Sequence, residues 1–250
     1  MNKVLIVAAL SAAFAVNLAH AQEAAAPAAT PPDNQFAFNA ALSSDYRYRG
    51  ISQSRLNPAV SGGIDYTHNP SGFYVGTWAS SIKWISDAGG DGDVEIDLYG
   101  GKRGEIVSGV SYDVGVLRYF YPGNDLAINA DTTEVYGQLG YGPAYIKYSH
   151  SLTNTFGFED SKNSNYIDVG ANIKMGGGYI LNLHAGHQKI KGPTDNASYS
   201  DWKVGVTKDF GVVTVSLAAI GTNADDNTYF GPNGEHTGKT GAVLTVSKTF

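Results

Sequence analysis

From Gln35 onward this chain alternates with a period of two, and that alternation narrows its fold more than any other feature. In the first segment Phe36, Phe38, Ala40, Leu42, Tyr46 and Tyr48 share one face. Ala37, Asn39, Ala41, Ser43, Asp45, Arg47 and Arg49 share the other. Val60, Gly62, Ile64 and Tyr66 then alternate with Ser61, Gly63, Asp65 and Thr67, and Val94, Ile96 and Leu98 with Glu95, Asp97 and Tyr99. Val110 to Val116, Ile167 to Ile173 and Val213 to Ala219 repeat the pattern. The segment Phe73–Trp84 carries aromatics on both faces, so its phase stays open. Strands that offer apolar groups to one side and charges to the other suit a wall between lipid and a polar interior.

The connections alternate in length. Short turns are expected at His68–Gly72, Lys102–Glu105, Gly142-Pro143, Gly176–Gly178 and Asp209–Gly211. Longer polar loops are expected at Gly50–Asn57, Ser86–Gly92, Pro122–Asp131, Thr153–Asn163, Gln188–Ser198 and Thr222–Gly238. Short and long strictly interleave, which predicts an all-β, antiparallel up-and-down barrel of about twelve strands over residues 35–250. Both chain ends then lie on the short-turn side, expected to be periplasmic, with the long loops extracellular. An open sandwich is disfavoured in a bilayer, because each unpaired backbone N–H or C=O costs several kcal/mol in hydrocarbon.

The start of the chain reads as an export signal rather than as part of a fold. Lys3 supplies a positive end, Val4 to Leu18 an apolar core, and Ala19-His20-Ala21 a small-x-small cleavage site, so residues 1–21 are expected to be removed after Ala21. Residues 22–34 are rich in Ala and Pro and read as a periplasmic lead-in. Beyond the signal, nothing approaches the ~18–20 consecutive apolar residues of a transmembrane helix. The 31 glycines, 16 tyrosines and slightly negative mean hydropathy describe a chain without a continuous apolar core, as expected where only every second strand residue meets lipid. With no cysteine there is neither a disulfide framework nor a thiolate metal site. A net charge of −6 argues against nucleic acid as a partner, since no basic stripe is available for phosphates.

Aromatic residues are expected at both rims. Phe36, Phe38, Tyr66, Phe73, Tyr141, Tyr179, Phe210 and Phe250 would lie near the short turns. Tyr46, Tyr48, Phe120, Tyr148, Tyr199 and Trp202 would lie near the long loops. The last strand alternates Ala242, Leu244 and Val246 with Val243, Thr245 and Ser247 and ends on Phe250, which resembles the recognition signal of bacterial outer-membrane assembly. The expected surroundings are therefore outer-membrane lipid and that assembly machinery.

The block Ser44-Asp45-Tyr46-Arg47-Tyr48-Arg49-Gly50-Ile51-Ser52-Gln53, followed by Asn57-Pro58-Ala59-Val60, resembles the opening of the TorF porin family. Gly72–Ser80, Glu95–Gly101 and Tyr119–Gly123 resemble its later blocks. The resemblance covers essentially the whole mature chain. It implies an outer-membrane barrel with passive-channel activity and assigns neither a solute nor functional residues.

The phase places Asp45, Asp65, Glu95, Asp97, Asp113, Glu134, Asp168 and Asp201 inward, together with Arg47, Lys147, Lys174 and Lys203. Acids outnumber bases, and charged rings in a water-filled lumen bias which ions enter. The expectation is a narrow channel for small hydrophilic solutes or ions with a mild cation preference, needing no cofactor. The alternatives are a structural or adhesive barrel whose charges pair and fill the lumen, a lipid-modifying enzyme, and a soluble periplasmic β-protein. Catalysis would need a hydroxyl beside an imidazole with a third group orienting it. Ser149 and His150 are adjacent in a strand and point to opposite faces, as do His184 and His187. Asp87, Asp91, Asp93 and Glu95 could offer oxygen to calcium, but their spacing matches no known twelve-residue loop, and Asp/Gly runs are ordinary loop text.

Overall fold

The alternating segments form strands in a computed structural model that describes residues 31–250. The export signal and most of the Ala/Pro-rich segment lie outside the described residues. The wall strands are β1 (Asn34–Ser43), β2 (Ala59–His68), β3 (Phe73–Ser81), β4 (Val94–Val107), β5 (Val110–Phe120) and β6 (Thr132–Tyr141). They continue as β7 (Ala144–Ser151), β8 (Asn165–Lys174), β9 (Tyr179–Lys189), β10 (Tyr199–Asp209), β11 (Thr214–Thr222) and β12 (Gly241–Thr249). Each pairs antiparallel with its neighbour in sequence, and β12 returns to β1, so the twelve strands close a barrel. Closure runs through Asn39↔Thr249 to Ser43↔Thr245 and is extended by Phe250 N–H donating to the Phe38 carbonyl at 2.8 Å and Phe38 N–H donating back at 3.3 Å. No wall strand is left with a free edge, which is the reason a closed sheet is tolerated where water is absent.

The outward face is apolar. Phe36, Leu42, Val60, Phe73, Val75, Leu98, Val114, Leu139, Ile146, Val169, Val204 and Leu217 are all exposed. The inward face is polar and largely buried, with Asp97, Asp113, Glu134, Asp168 and Asp201 each no more than 3 % exposed. The phase left open for Phe73–Trp84 resolves through register. Trp78 sits opposite Asp97 and Ser80 opposite Glu95, so Tyr74, Trp78 and Ser80 face inward while Val75 faces out. The wall strand ends at Ser81; Trp84–Asp87 is a single helical turn at the long-loop rim.

The expected turn at Lys102–Glu105 is not there. β4 runs on to Val107, and the chain reverses at Ser108-Gly109. The Gly100-Gly101-Lys102-Arg103-Gly104 text looks like a turn, but its glycines serve another purpose. Gly101 is paired with Tyr74, and a Cβ there would come 2.6 Å from the Tyr74 hydroxyl. Gly115 stands in the same relation to Tyr136 and Gly170 to Tyr145. Interior tyrosines lie flat along the wall, and the strand opposite needs a glycine to receive the ring.

A second departure concerns the first segment. β1 ends at Ser43, and Tyr46 and Tyr48 do not join an outer rim; both are buried inside the cylinder. Tyr199, also expected at the rim, faces inward from β10 and packs against Ile51 and Tyr229. Phe120, Tyr148 and Trp202 stay exposed.

Candidate functional site

The lumen is defined by what enters it. After β1, residues 44–58 turn into the barrel from the long-loop rim and form a minimal hairpin, Arg47–Tyr48 against Ile51–Ser52. Its two tip residues, Arg49 (φ 46°) and Gly50 (φ 80°), both have positive φ, as a right-twisted two-residue hairpin requires. Gly50 also lies against the wall, where a Cβ would sit 2.8 Å from the Asp201 Cβ.

Side chains tie the hairpin to itself and to the wall. Asp45 accepts from Arg47 Nε at 2.6 Å, Ser52 Oγ at 2.5 Å and Ser54 Oγ at 3.2 Å, so its charge is consumed inside the segment. Arg47 also donates to the Lys239 carbonyl at 2.7 Å, joining the hairpin to the last long loop. The Tyr46 hydroxyl donates to Glu95, and Tyr48 shares a hydrogen bond with the Tyr119 hydroxyl. Around them Trp78, Ile82, Ile85, Leu117, Tyr119 and Tyr121 complete an aromatic core.

Arg49 spans the lumen. It holds Glu134 with both terminal nitrogens, at 2.7 and 3.1 Å, and donates to Gln188 Oε1. Its guanidinium lies 4.8 Å from the Tyr48 ring centroid and 4.3 Å from that of Tyr166. A planar fork between a carboxylate and two ring faces is a task that lysine cannot reproduce.

The other inward charges fall into two groups. On β8–β10, His184 Nδ1 lies 2.9 Å from Asp168 and Nε2 lies 2.6 Å from Asp201, while the Tyr166 hydroxyl donates to Asp201 at 2.9 Å. Nearer the short turns, Tyr74 donates to Asp113, Tyr99 donates to Asp65 at 2.7 Å, and Arg103 donates to Thr67 at 2.9 Å. Lys147 is buried over the Tyr136 ring, Lys203 sits opposite His184, and Lys174 is exposed at the end of β8. Asp97 is 1 % exposed and its Oδ1 has no hydrogen-bond partner among the described residues.

The alternation names Asp65, Glu95, Asp97, Asp113, Glu134, Lys147, Asp168, Lys174, Asp201 and Lys203, and these occupy wall strands. Asp45 and Arg47 sit in the inserted segment instead. Sequence reasoning passed over Arg49, Arg103, His184 and Gln188 as partners. For Arg49 the signal was present in Arg49-Gly50 between two short β-prone pairs, a hairpin tip inside what read as one long strand. With Arg49 and Arg103 added, the inward acids still outnumber the bases but by less than the sequence census suggested.

The residues considered for catalysis are dispersed. Ser149 is buried on the inner side of β7, while His150 lies on the other face with Tyr148 and Asn163. His184 meets carboxylates and a tyrosine, and His187 meets Ser200 on an exposed surface. Of the acids weighed for calcium, Asp87 pairs with Arg55, Asp93 lies 2.9 Å from Lys83, and Glu95 points into the barrel. No cluster of three or more metal-capable side chains occurs among the described residues.

Solved structures similar in fold include the KdgM porin, with a TM-score of 0.55 at 5 % identity over 86 % of this chain and 98 % of that one. A KdgM porin in complex with disordered oligogalacturonate matches with a TM-score of 0.53, again at 5 % identity, over 86 % of this chain and 97 % of that one. At such identity the likeness concerns the fold alone. Among curated proteins no sequence relative matches. Residues 24–250 match the family described as bacterial protein of unknown function (Gcw_chp), and it is to this family that the chain belongs.

Proposed function

We propose that the protein is an outer-membrane pore for passive diffusion of small hydrophilic solutes or ions, with no catalytic role. One observation carries the reading: an edge-free cylinder whose outer face is apolar and whose inner face is charged and hydroxylated. Such a wall is stable when its outer face meets hydrocarbon and its inner face meets water. On this reading the protein resides in the outer membrane, the chain is exported with cleavage after Ala21, the short turns are periplasmic and Phe250 is read by the assembly machinery. The blocks that resemble the TorF porins agree with the reading, and so does the shared architecture with KdgM porin. Asp45, Asp65, Glu95, Asp97, Asp113, Glu134, Asp168 and Asp201, against Arg47, Lys147, Lys174 and Lys203, would set the electrostatic field inside the lumen. The small acidic excess that remains once Arg49 and Arg103 join them supports only a mild cation preference.

The inserted segment favours a second reading, a barrel whose lumen is filled for structural purposes. Twelve strands give a modest bore, since diameter grows with strand number and only about 16–18 strands leave an openly aqueous channel. Reconstitution in planar bilayers and solute-loaded liposomes decides between them. Stepwise conductance with solute influx is expected; folded, inserted protein that passes neither removes the pore and leaves the filled barrel.

A further inference from the structure

The inserted segment fills the lumen unevenly. Against β4–β7 it packs closely, and the inward side chains there, Glu95, Asp97, Tyr119, Glu134, Ser149 and Ser151, are all buried. Against β12, β1 and β2 a run of inward positions differs: Asn39, Ala41, Ser43, Ser61 and Thr245 remain partly accessible, while Ala59, Val243 and Ser247 around them are buried. On that side lies a cavity of about 50 Å³, bounded by these residues together with Tyr46, Ala59, Trp78 and Ser80. This is room for a few water molecules, since one needs about 10–15 Å³.

The chemistry of this cavity is unlike that of the rest of the lumen. No carboxylate, lysine, arginine or histidine lines it. It presents hydroxyls and an amide from Asn39, Ser43, Ser61, Ser80 and Thr245, of which Ser43 and Thr245 share a hydrogen bond at 3.1 Å and Ser80 donates to backbone carbonyls, leaving oxygen lone pairs as acceptors, with the Trp78 and Tyr46 rings, 5.4 Å apart edge to face, as one wall. Of the neighbouring carboxylates, Asp45 is engaged by Arg47 and two serines and Glu95 by Tyr46, while Asp97, opposite Trp78 in register, is not part of the lining. An ion entering such a space loses hydration and gains no countercharge, whereas an uncharged polyol exchanges water hydrogen bonds for hydroxyl and amide partners. Towards the short turns the same wall continues through Gly63 to Asp65, whose carboxylate accepts from the Tyr99 hydroxyl.

From this we infer that the route through the protein is eccentric, along β12–β1–β2, and that its narrow part selects small uncharged hydroxylated solutes over ions of similar size. The inference rests on the pore reading above and names the path and solute class within it. Mild cation preference then describes only which ions leak.

The chain has no cysteine, so single cysteines can be placed without background. Ala41→Cys, Ser61→Cys and Thr245→Cys line the route, and Ser149→Cys lies on the filled side. Each full-length mature protein is reconstituted in liposomes, and glycerol influx is followed by light scattering before and after a neutral benzyl methanethiosulfonate. Wild type should admit glycerol several-fold faster than choline. Modification at 41, 61 and 245 should reduce glycerol influx several-fold, and Ser149→Cys should stay unmodified with unchanged influx. If cysteines at 41, 61 and 245 are modified and glycerol still enters at the native rate, the route is elsewhere although the pore stands. Equal rates for glycerol and choline overturn the neutral selectivity. Wild-type liposomes that admit neither solute overturn the pore reading and this route with it.

Discussion

Removing Arg49 should weaken the protein more than any other single change in the inserted segment. Its side chain is 6 % exposed and that of Glu134 is 1 % exposed, so water screens the pair little. Arg49→Met keeps the length of the side chain but leaves Glu134 buried without its countercharge. Breaking a buried pair from one side costs about 3–5 kcal/mol. Loss of the Tyr48 and Tyr166 ring contacts adds something within that range rather than on top of it, because the interactions share one group. Removing both charges behaves differently: Arg49→Met with Glu134→Gln should recover most of the loss and lie within about 2 kcal/mol of native. Urea unfolding of detergent-folded protein, followed by the fluorescence of Trp78 and Trp84, reads all four corners of the cycle. The singly substituted Arg49→Met protein should also pass larger and noisier currents, because its hairpin is no longer pinned across the lumen. A double variant whose destabilisation is simply the sum of its parts would refute the argument, since Arg49 and Glu134 would then act independently.

Gly170→Ala should destabilise by about 1–3 kcal/mol, since the new Cβ would lie 2.6 Å from the Tyr145 ring and 2.7 Å from the Leu183 carbonyl; the same urea titration checks it, and Tyr145→Ala in the same chain should relieve only the part due to the ring. Deleting Phe250 removes the reciprocal backbone bonds with Phe38 at the closing seam, together about 1–3 kcal/mol, and should lower the heat-resistant fraction on unboiled gels. His184→Leu leaves Asp168 and Asp201 facing each other without the ring between them and should cost about 3–5 kcal/mol, measured by the shift in unfolding midpoint. Purified protein should leave phospholipid intact, with or without His150→Ala, in an assay for fatty-acid release; turnover lost on that substitution would reinstate an enzyme.

The fold was legible because each wall strand carries its own evidence. Val94-Glu95-Ile96-Asp97-Leu98 declares its two faces without reference to any neighbour, and the turn or loop after it declares which rim has been reached. The hairpin of residues 44–58 was not legible for the same reason. Tyr46-Arg47-Tyr48-Arg49 has the same period whether it extends the wall or folds inside it. Only the engagement of Tyr46 by Glu95 and of Arg49 by Glu134 separates the two. Gly100–Gly104 misled because glycine marks both a turn and a seat for a neighbouring ring, and the seat exists only once Tyr74 and Gly101 are in register.

Taken alone, the sequence determined the local alternation, the number of reversals and the alternating lengths of the connections, and those suffice for an antiparallel barrel. Position along the chain cannot say which charges meet. His184 finds Asp168 and Asp201 only through the stagger of three adjacent strands, and Arg49 finds Glu134 and Gln188 only by crossing the interior. The physical reason is one of range. A period of two is set by backbone geometry within a few residues, whereas the shape and charge of the lumen are set by contacts between segments far apart in sequence, which exist only after the sheet has closed.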